Sequence, residues 1–274
     1  MKKIFLPLIL LLLLLTGCSN QPFKDNGIIN REKIVIGFDE GFAPMGFRND
    51  KGEIVGFDVD LAKETARRMS IDIEFKPIDW SRKKEEITSG NIDMIWNGCD
   101  ITDERKEYMI FSKPYMDSRQ VLLVKKGNSK SIYSEYDLSG KVVGMQAGTS
   151  SEIYIDADIK NSLAELKICN SLQEGFDALL KEEYDVLVLD EIAGRYEITK
   201  NPDMFEVVEV SVSPITEFGI GFRKDNKALR DRVQEVFDSI VDDGTAKQIS
   251  EKWFQADLIK LKRGLHPLEH KGGV

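Results

Sequence analysis

The stretch that decides the fold lies at residues 97–105 and reads NGCDITDER. An apolar, strand-like run (IDMIW, residues 92–96) precedes it, and Asn97 and Gly98 supply a turn before a charged helical start. Free backbone N–H groups at a helix N-terminus attract an anion, and Arg105 adds a planar guanidinium that can pair bidentately with a carboxylate. The pattern therefore predicts a strand–turn–helix corner in which Asn97, Gly98 and Arg105 contact a small molecule and hold its carboxylate.

Arg105 has a competing interpretation that this stretch leaves open. Asp103 or Glu104 could balance it as a solvated helix charge, which is the usual state of an arginine on a helix. Only the surroundings of Arg105 can decide between a ligand clamp and a surface charge.

Three motifs follow one another along the chain: GFDVDLA (residues 56–62), NGCDITDER with FSKPY behind it (97–115), and GMQAGTSS (144–151). In this order they resemble the signatures of the bacterial extracellular solute-binding proteins of the polar amino acid type, which are the receptors of ABC importers. The resemblance covers roughly residues 32–256. It implies an α/β fold, the two-lobed periplasmic-binding-protein (Venus flytrap) fold of type II, with two crossover hinge strands.

The resemblance also divides the chain. Lobe 1 is expected to be discontinuous, formed by residues 31–117 and 217–262, and lobe 2 is expected to span residues 118–216. Two lobes that face a cleft are the usual setting for a small ligand.

The hydrophobic pattern agrees with an α/β fold. Strand-like runs at 33–39 and 71–75 flank a helical segment that Asp58 can cap, and a second β-α-β series begins at residue 141. A later helix carries an apolar face at 3.6-residue spacing: Leu229, Val233, Val236, Phe237 and Ile240. Residues 81–91 are nearly all polar, although the resemblance implies an amphipathic helix there.

The N-terminal residues are typical of an export signal. Residues 1–17 combine two lysines, a short apolar run and small residues, and the run is too short to span a bilayer comfortably. The segment LTGC, which ends at Cys18, resembles a bacterial lipobox and implies cleavage before Cys18 and a lipid on its sulfur. We therefore expect a lipidated Cys18 with a tether at 18–30, and anchoring at the extracytoplasmic face of the cell membrane.

Composition excludes several classes of function. Removal of residues 1–17, which include two lysines and no acidic residue, takes the formal charge from −9 to −11, so a nucleic-acid partner is not expected. Cys99 and Cys169 remain, and the sequence leaves their pairing open. The two histidines, His266 and His270, lie in a C-terminal tail (263–274), so we expect no metal and no cofactor.

A free amino acid needs a cationic and an anionic clamp, because unpaired charge in a closed cleft is costly. Arg105 is the predicted cationic clamp. The resemblance places Asp190 against the α-ammonium, and a plain N-cap role for Asp190 is compatible with this. It also places Gln146, Ser150 and Ser151 in a strand-to-helix loop that closes over the carboxylate.

The resemblance places Phe42 and Trp80 around the ligand side chain, where aromatic faces also favour a cation, although either could be a core residue. Asp39 matches a position that touches the ligand side chain. Asp100 departs from the family, which usually has Ser or Thr there, and an ionised Asp would repel a ligand carboxylate. We therefore expect Asp100 to face an amino or guanidinium group, with solvation or backbone N–H bonds to Asp39 or Asp100 as the alternative.

These expectations predict a monomeric binding protein that captures a polar amino acid, a basic one first and cystine second, and presents it to a permease. It carries out no chemistry. A competing interpretation is an enzyme on the same scaffold, such as a dehydratase or a peptidoglycan-cleaving hydrolase, because fold does not fix function. The sensing domain of a receptor would need a membrane-spanning helix, and no such apolar run follows residue 18.

Overall fold

The computed structural model describes residues 33–260. The predicted signal peptide, tether and C-terminal tail lie outside this range. The strands are β1 (Lys33–Phe38), β2 (Gly41–Phe42), β3 (Gly46–Arg48), β4 (Ile54–Val55), β5 (Asp72–Pro77), β6 (Met94–Ile95), β7 (Met109–Phe111), β8 (Met116–Ser118), β9 (Gln120–Lys125), β10 (Val142–Gln146), β11 (Glu165–Cys169), β12 (Val186–Asp190), β13 (Phe205–Ser211), β14 (Thr216–Phe218) and β15 (Gly221–Arg223). The helices are α1 (Phe57–Met69), α2 (Lys83–Thr88), α3 (Asp103–Lys106), α4 (Ser151–Tyr154), α5 (Ala157–Ser162), α6 (Leu172–Leu180), α7 (Glu191–Lys200), α8 (Lys227–Asp242) and α9 (Thr245–Phe254), and 3₁₀ turns cover Trp80–Arg82 and Glu135–Leu138.

Lobe 1 is built on a five-stranded sheet in the order β5-β1-β6-β15-β7. Strand β1 pairs in parallel with β5 and β6, whereas β15 runs antiparallel to β6 and β7. Helix α8 buries the apolar face that its 3.6-residue spacing predicted, so this prediction is confirmed. Burial of such a stripe is the main source of helix stability in a globular protein.

Lobe 2 is built on a second five-stranded sheet in the order β11-β10-β12-β9-β13. Strands β10, β11 and β12 are parallel, and β9 and β13 complete the sheet in antiparallel pairing. Its core contains aliphatic side chains from three central strands: Leu122, Val124, Val143, Met145, Val186 and Val188. Two mixed sheets of this kind form the two lobes expected from the sequence.

The chain crosses between the lobes twice, and the two crossing segments pair with each other. Strand β8 leaves lobe 1, strand β14 returns to it, and the two run antiparallel with Thr216 opposite Ser118. The expectation of two crossover hinge strands is confirmed. The predicted lobe boundaries at 117/118 and 216/217 fall within these strands.

Several local predictions need correction. The expected strand at 218–222 is interrupted at 219–220, where the chain leaves the hinge pair and Ile220 N–H donates to the Ser112 hydroxyl at 2.9 Å. The strand expected at 92–96 is only two residues long. The polar segment at 81–91 does form a helix, α2, which buries Ile87 against lobe 1.

Asp58 is not a helix cap. Helix α1 begins at Phe57, after Gly56 at φ 144°, and Asp58 lies inside its first turn with a fully buried side chain. The carboxylate accepts the Gly98 N–H at 2.6 Å and the Tyr115 hydroxyl at 2.8 and 2.9 Å. Asp58 therefore ties helix α1 to the turn at 97–98 and to the residue that precedes the first hinge strand.

Candidate functional site

A cavity lies between the two sheets. Ten of the eleven residues predicted to contact a ligand line it, Ser151 does not, and Thr149 was missed. The lining residues are Asp39, Phe42, Trp80, Asn97, Gly98, Asp100, Arg105, Gln146, Thr149, Ser150 and Asp190.

Strand geometry explains why residues distant in sequence meet here. Asp39 follows β1 and Asn97 lies just beyond β6, which is parallel to β1. Gln146 and Asp190 are the last residues of the parallel strands β10 and β12. Since the carboxyl ends of parallel strands meet at one sheet edge, each lobe presents its polar side chains to the cleft.

The turn at 97–98 is held in place by two hydrogen bonds. Asn97 Oδ1 accepts the Asp39 N–H at 2.8 Å, and Asp58 holds the Gly98 N–H. Gly98 has φ +56°, and a Cβ there would come within 2.4 Å of Phe42 Cε1. A larger residue would be strained at this φ and would displace Phe42, so the turn requires glycine.

Arg105 is a buried cation and not a surface charge. Thr102 caps the short helix α3 and accepts the Arg105 N–H at 3.2 Å, which fixes the residue at the helix start as predicted. The side chain is 3% exposed, and its guanidinium donates to the Asp100 carbonyl at 3.0 Å and to the Gly148 carbonyl at 3.3 Å. Asp103, the neighbour that could have balanced it, pairs with Lys106 instead.

Asp190 occupies the N-cap position of α7, but its side chain does not cap the helix. Oδ1 accepts from the Ser118 hydroxyl at 2.9 Å and from Gln120 Nε2 at 2.7 Å, and no described residue hydrogen-bonds Oδ2. Burial, together with the negative charge of Asp100, raises the pKa of Asp190 to about 7. A cation placed at Oδ2 would stabilise the ionised form.

The other two cavity carboxylates are satisfied within the protein. Asp39 accepts the Gly41 N–H at 2.8 Å and Gln146 Nε2 at 2.6 Å, and Asp100 accepts the Thr216 hydroxyl at 2.7 Å and the Ser150 hydroxyl. Burial raises the pKa of both carboxyl groups above the ordinary value. The alternative of backbone N–H bonds holds only for the bond from Gly41 to Asp39, because the other donors to these two acids are side chains.

Phe42 and Trp80, which were expected around the ligand side chain, both lie on the cavity wall. Phe42 and Trp80 are 8% and 6% exposed, and Trp80 also packs into a hydrophobic cluster with Ile87 and Cys99. The sequence left open whether these rings line the cavity or belong to the core. Both rings are buried and both line the cavity, so the two roles do not exclude each other.

Ser151 supports the site from behind and does not line it. Its hydroxyl donates to Gln120 Oε1 at 2.6 Å, and Gln120 in turn donates to Asp190. As the first residue of α4, Ser151 points back towards the sheet, whereas Thr149 and Ser150 remain at the cavity. Gln120 was missed, although a polar residue that opens the apolar run QVLLVK was a signal that could have found it.

The two lobes are closed on each other in this structure. Gln146 of lobe 2 reaches Asp39, and Ser150 reaches Asp100. The Gly148 carbonyl of lobe 2 accepts from Arg105 and, at 2.6 Å, from Lys83. The cleft is therefore bridged by direct hydrogen bonds between the two lobes.

Three further observations bear on competing functions. Cys99 and Cys169 are both buried free thiols. Among residues 33–260, no group of three or more His, Cys, Asp or Glu side chains could hold a metal ion. No helix within the same range is both long and apolar enough to cross a membrane.

Comparison with known proteins identifies relatives of this chain. Residues 34–256 match the model of the bacterial extracellular solute-binding proteins, family 3. The L-cystine-binding protein TcyJ of Escherichia coli (strain K12) is 30% identical over 251 residues, which are 90% of this chain and 93% of TcyJ. The ABC transporter arginine-binding protein 1 of the same strain is 31% identical over 81% of this chain and 91% of its own length.

Solved structures of solute-binding proteins are also similar to this chain. The substrate-binding protein of an ABC uptake transporter from Streptococcus pneumoniae, with bound histidine, superposes with a TM-score of 0.78 at 35% identity and covers 84% of this chain and 95% of its own. An ancestral arginine-binding protein bound to arginine gives 0.77 at 35% identity, with 82% and 99% coverage. The relatives are solute-binding proteins and not enzymes, so the alternative of an enzyme on this scaffold is set aside. The chain belongs to the bacterial extracellular solute-binding proteins of family 3.

Proposed function

We propose that this protein captures a free amino acid between its two lobes outside the membrane and delivers it, in the closed form, to the permease of an ABC importer. The observation that carries the proposal is that two complementary groups line the same cavity. One is the buried cation Arg105, and the other is the Oδ2 atom of Asp190, which accepts no hydrogen bond from a described residue. A free amino acid carries a carboxylate for Arg105 and an ammonium for Asp190, both attached to one α-carbon.

The amino acid backbone would be held by both lobes. Arg105 of lobe 1 would bind the carboxylate through its planar guanidinium, and Asp190 of lobe 2 would bind the ammonium. Because the ligand then bridges the lobes, its binding energy favours the closed form and shifts an existing open–closed equilibrium about the β8–β14 hinge.

The ligand side chain would extend towards Asp39, Phe42 and Trp80. The cavity contains three carboxylates and one arginine, so a ligand with additional positive charge reduces an excess of buried negative charge. Asp39 would exchange its bond to Gln146 for a bond to the ligand. We therefore propose a basic amino acid first and cystine second, and relatives named for arginine and cystine, with a solved relative bound to histidine, support these candidates without ranking them.

Isothermal titration calorimetry tests the proposal. The protein is first unfolded, dialysed and refolded, so that it is free of bound ligand. Each of the twenty amino acids and cystine is titrated separately, and one-to-one binding is expected, tightest for arginine, lysine, histidine or cystine. Absence of binding to every compound would overturn the proposed function. Preference for glutamate or an aliphatic amino acid would overturn the ligand class alone.

The proposed anchor rests on the sequence, because Cys18 lies outside the described residues. Cleavage before Cys18 and lipidation of its sulfur would hold the binding lobes at the membrane, close to the permease, as a monomer. Wild-type protein should sediment with membranes, whereas Cys18→Ala should be released or stay unprocessed. Recovery of all wild-type protein in the medium would disprove the anchor.

A further inference from the structure

The amine of Lys83 is buried at the contact between the lobes. Lys83 is the first residue of α2 in lobe 1, and only 6% of the residue is exposed. Its Nζ donates to the Trp80 carbonyl at 3.2 Å and to the Gly148 carbonyl at 2.6 Å. The second bond spans the two lobes, since Gly148 lies in the loop between β10 and α4 of lobe 2.

The surface that receives this amine fits lobe 1 closely. Gly148 has φ +70°, and a Cβ at this position would lie 2.7 Å from Ser81 Cα, 3.0 Å from the Trp80 carbonyl oxygen and 3.1 Å from Lys83 Nζ. Contacts this short leave no room for a side chain. The loop of lobe 2 therefore seats its backbone directly on the turn at Trp80–Arg82 when the cleft closes.

Two cations of lobe 1 converge on one carbonyl of lobe 2. Arg105 donates to the same Gly148 oxygen at 3.3 Å. Burial first, and the positive charge of Arg105 second, lower the pKa of Lys83 to about 8. Lys83 and Arg105 repel each other, and a ligand carboxylate bound at Arg105 would offset this repulsion.

We propose that Lys83 is a closure latch, a positioning residue that holds the two lobes together without contacting the ligand. This inference rests on the proposed function, because a latch has a role only if the cleft opens and closes on a ligand. Lys83 is not among the residues that line the cavity. Its bond to Gly148 forms on closure, so it stabilises every closed complex to the same extent, whatever the ligand side chain.

Lys83→Met tests the latch, since it keeps the buried apolar stem and removes the charged donor. Lys84→Met is the matched control, because Lys84 is its exposed neighbour on the same helix and lies over the Tyr108 ring. Loss of a hydrogen bond from a charged donor predicts about a 10-fold to 100-fold loss of affinity for Lys83→Met. Lys84→Met should bind as the wild type does.

Two further readouts distinguish a latch from a general structural role. The loss should be the same for every amino acid that binds, and stopped-flow kinetics should place it in a faster dissociation rate with an unchanged association rate. The melting temperature without ligand should fall only slightly, because the open form lacks the bond to Gly148 and the variant loses only the bond to the Trp80 carbonyl there. If Lys83→Met does not unfold cooperatively, Lys83→Gln is measured instead by the same criteria.

The outcomes separate the two proposals. Affinity of the Lys83 variant within 2-fold of wild type would overturn the latch and leave the proposed function intact. A loss that differs between ligands and reorders them would also overturn it, because Lys83 would then contact the ligand. Absence of amino acid binding by the wild type would overturn the proposed function and the latch with it.

Discussion

Replacement of Arg105 by methionine is the most direct test of the site. The substitution keeps an unbranched side chain in a buried position and removes the bonds to the Asp100 and Gly148 carbonyls. It also leaves Asp100 and Asp190 without their nearby positive charge. Truncation of one partner of a buried charge pair typically costs 2–5 kcal/mol, so affinity for the amino acid should fall by about 30-fold to 4,000-fold.

The assay is calorimetric titration of refolded, ligand-free protein with the amino acid that the wild type binds most tightly. Lys106→Met is the matched control, since Lys106 is the next residue of the same helix and is exposed in an ion pair with Asp103. Its affinity should match that of the wild type. Equal affinity of Arg105→Met and wild type, with both proteins folded by circular dichroism, would refute the assignment of Arg105 to the ligand carboxylate.

Three further substitutions test other parts of the structure. Asp190→Asn should reduce affinity by at least about 30-fold through loss of the ammonium partner, whereas the ligand-free melting temperature should not fall, because a buried charge has been removed; a large drop in that temperature would contradict this. Burial raises the pKa of Asp58 from 3.8 to about 7, so the folded protein holds a proton that the unfolded chain releases, and stability should fall as pH rises from about 4 to about 7, by about 4 kcal/mol at most. Urea unfolding across that range should show a flatter pH profile for Asp58→Asn, and identical profiles would count against a raised pKa. Asp100→Ser should reduce the preference for cationic over neutral amino acids by about 10-fold in competition titrations, since it removes one cavity charge; an unchanged preference would show that Asp100 acts only through Ser150 and Thr216.

The sequence by itself determined the order of most helices and strands and the loop at residues 97–105. Periodicity is a short-range property, so the apolar face of α8 and the β-α-β order could be predicted without any knowledge of the fold. The corner at 97–105 was equally local, because Thr102 caps the helix that carries Arg105 only three residues later. Ten of the eleven candidate contacts line the cavity, and most of them were named from the resemblance of the motifs to a known family and not from periodicity.

Only the tertiary structure decided how the polar groups are satisfied. Asp39 and Gln146 are 107 positions apart, and Asp100 and Thr216 are 116 apart, so neither bond leaves a trace in local sequence. The same is true of Lys83 and Gly148, which are 65 positions apart and meet only when the lobes close. Asp58 was predicted as a helix cap from its neighbours, but a buried carboxylate takes whatever donors the packed fold brings to it, and here those are Gly98 and Tyr115.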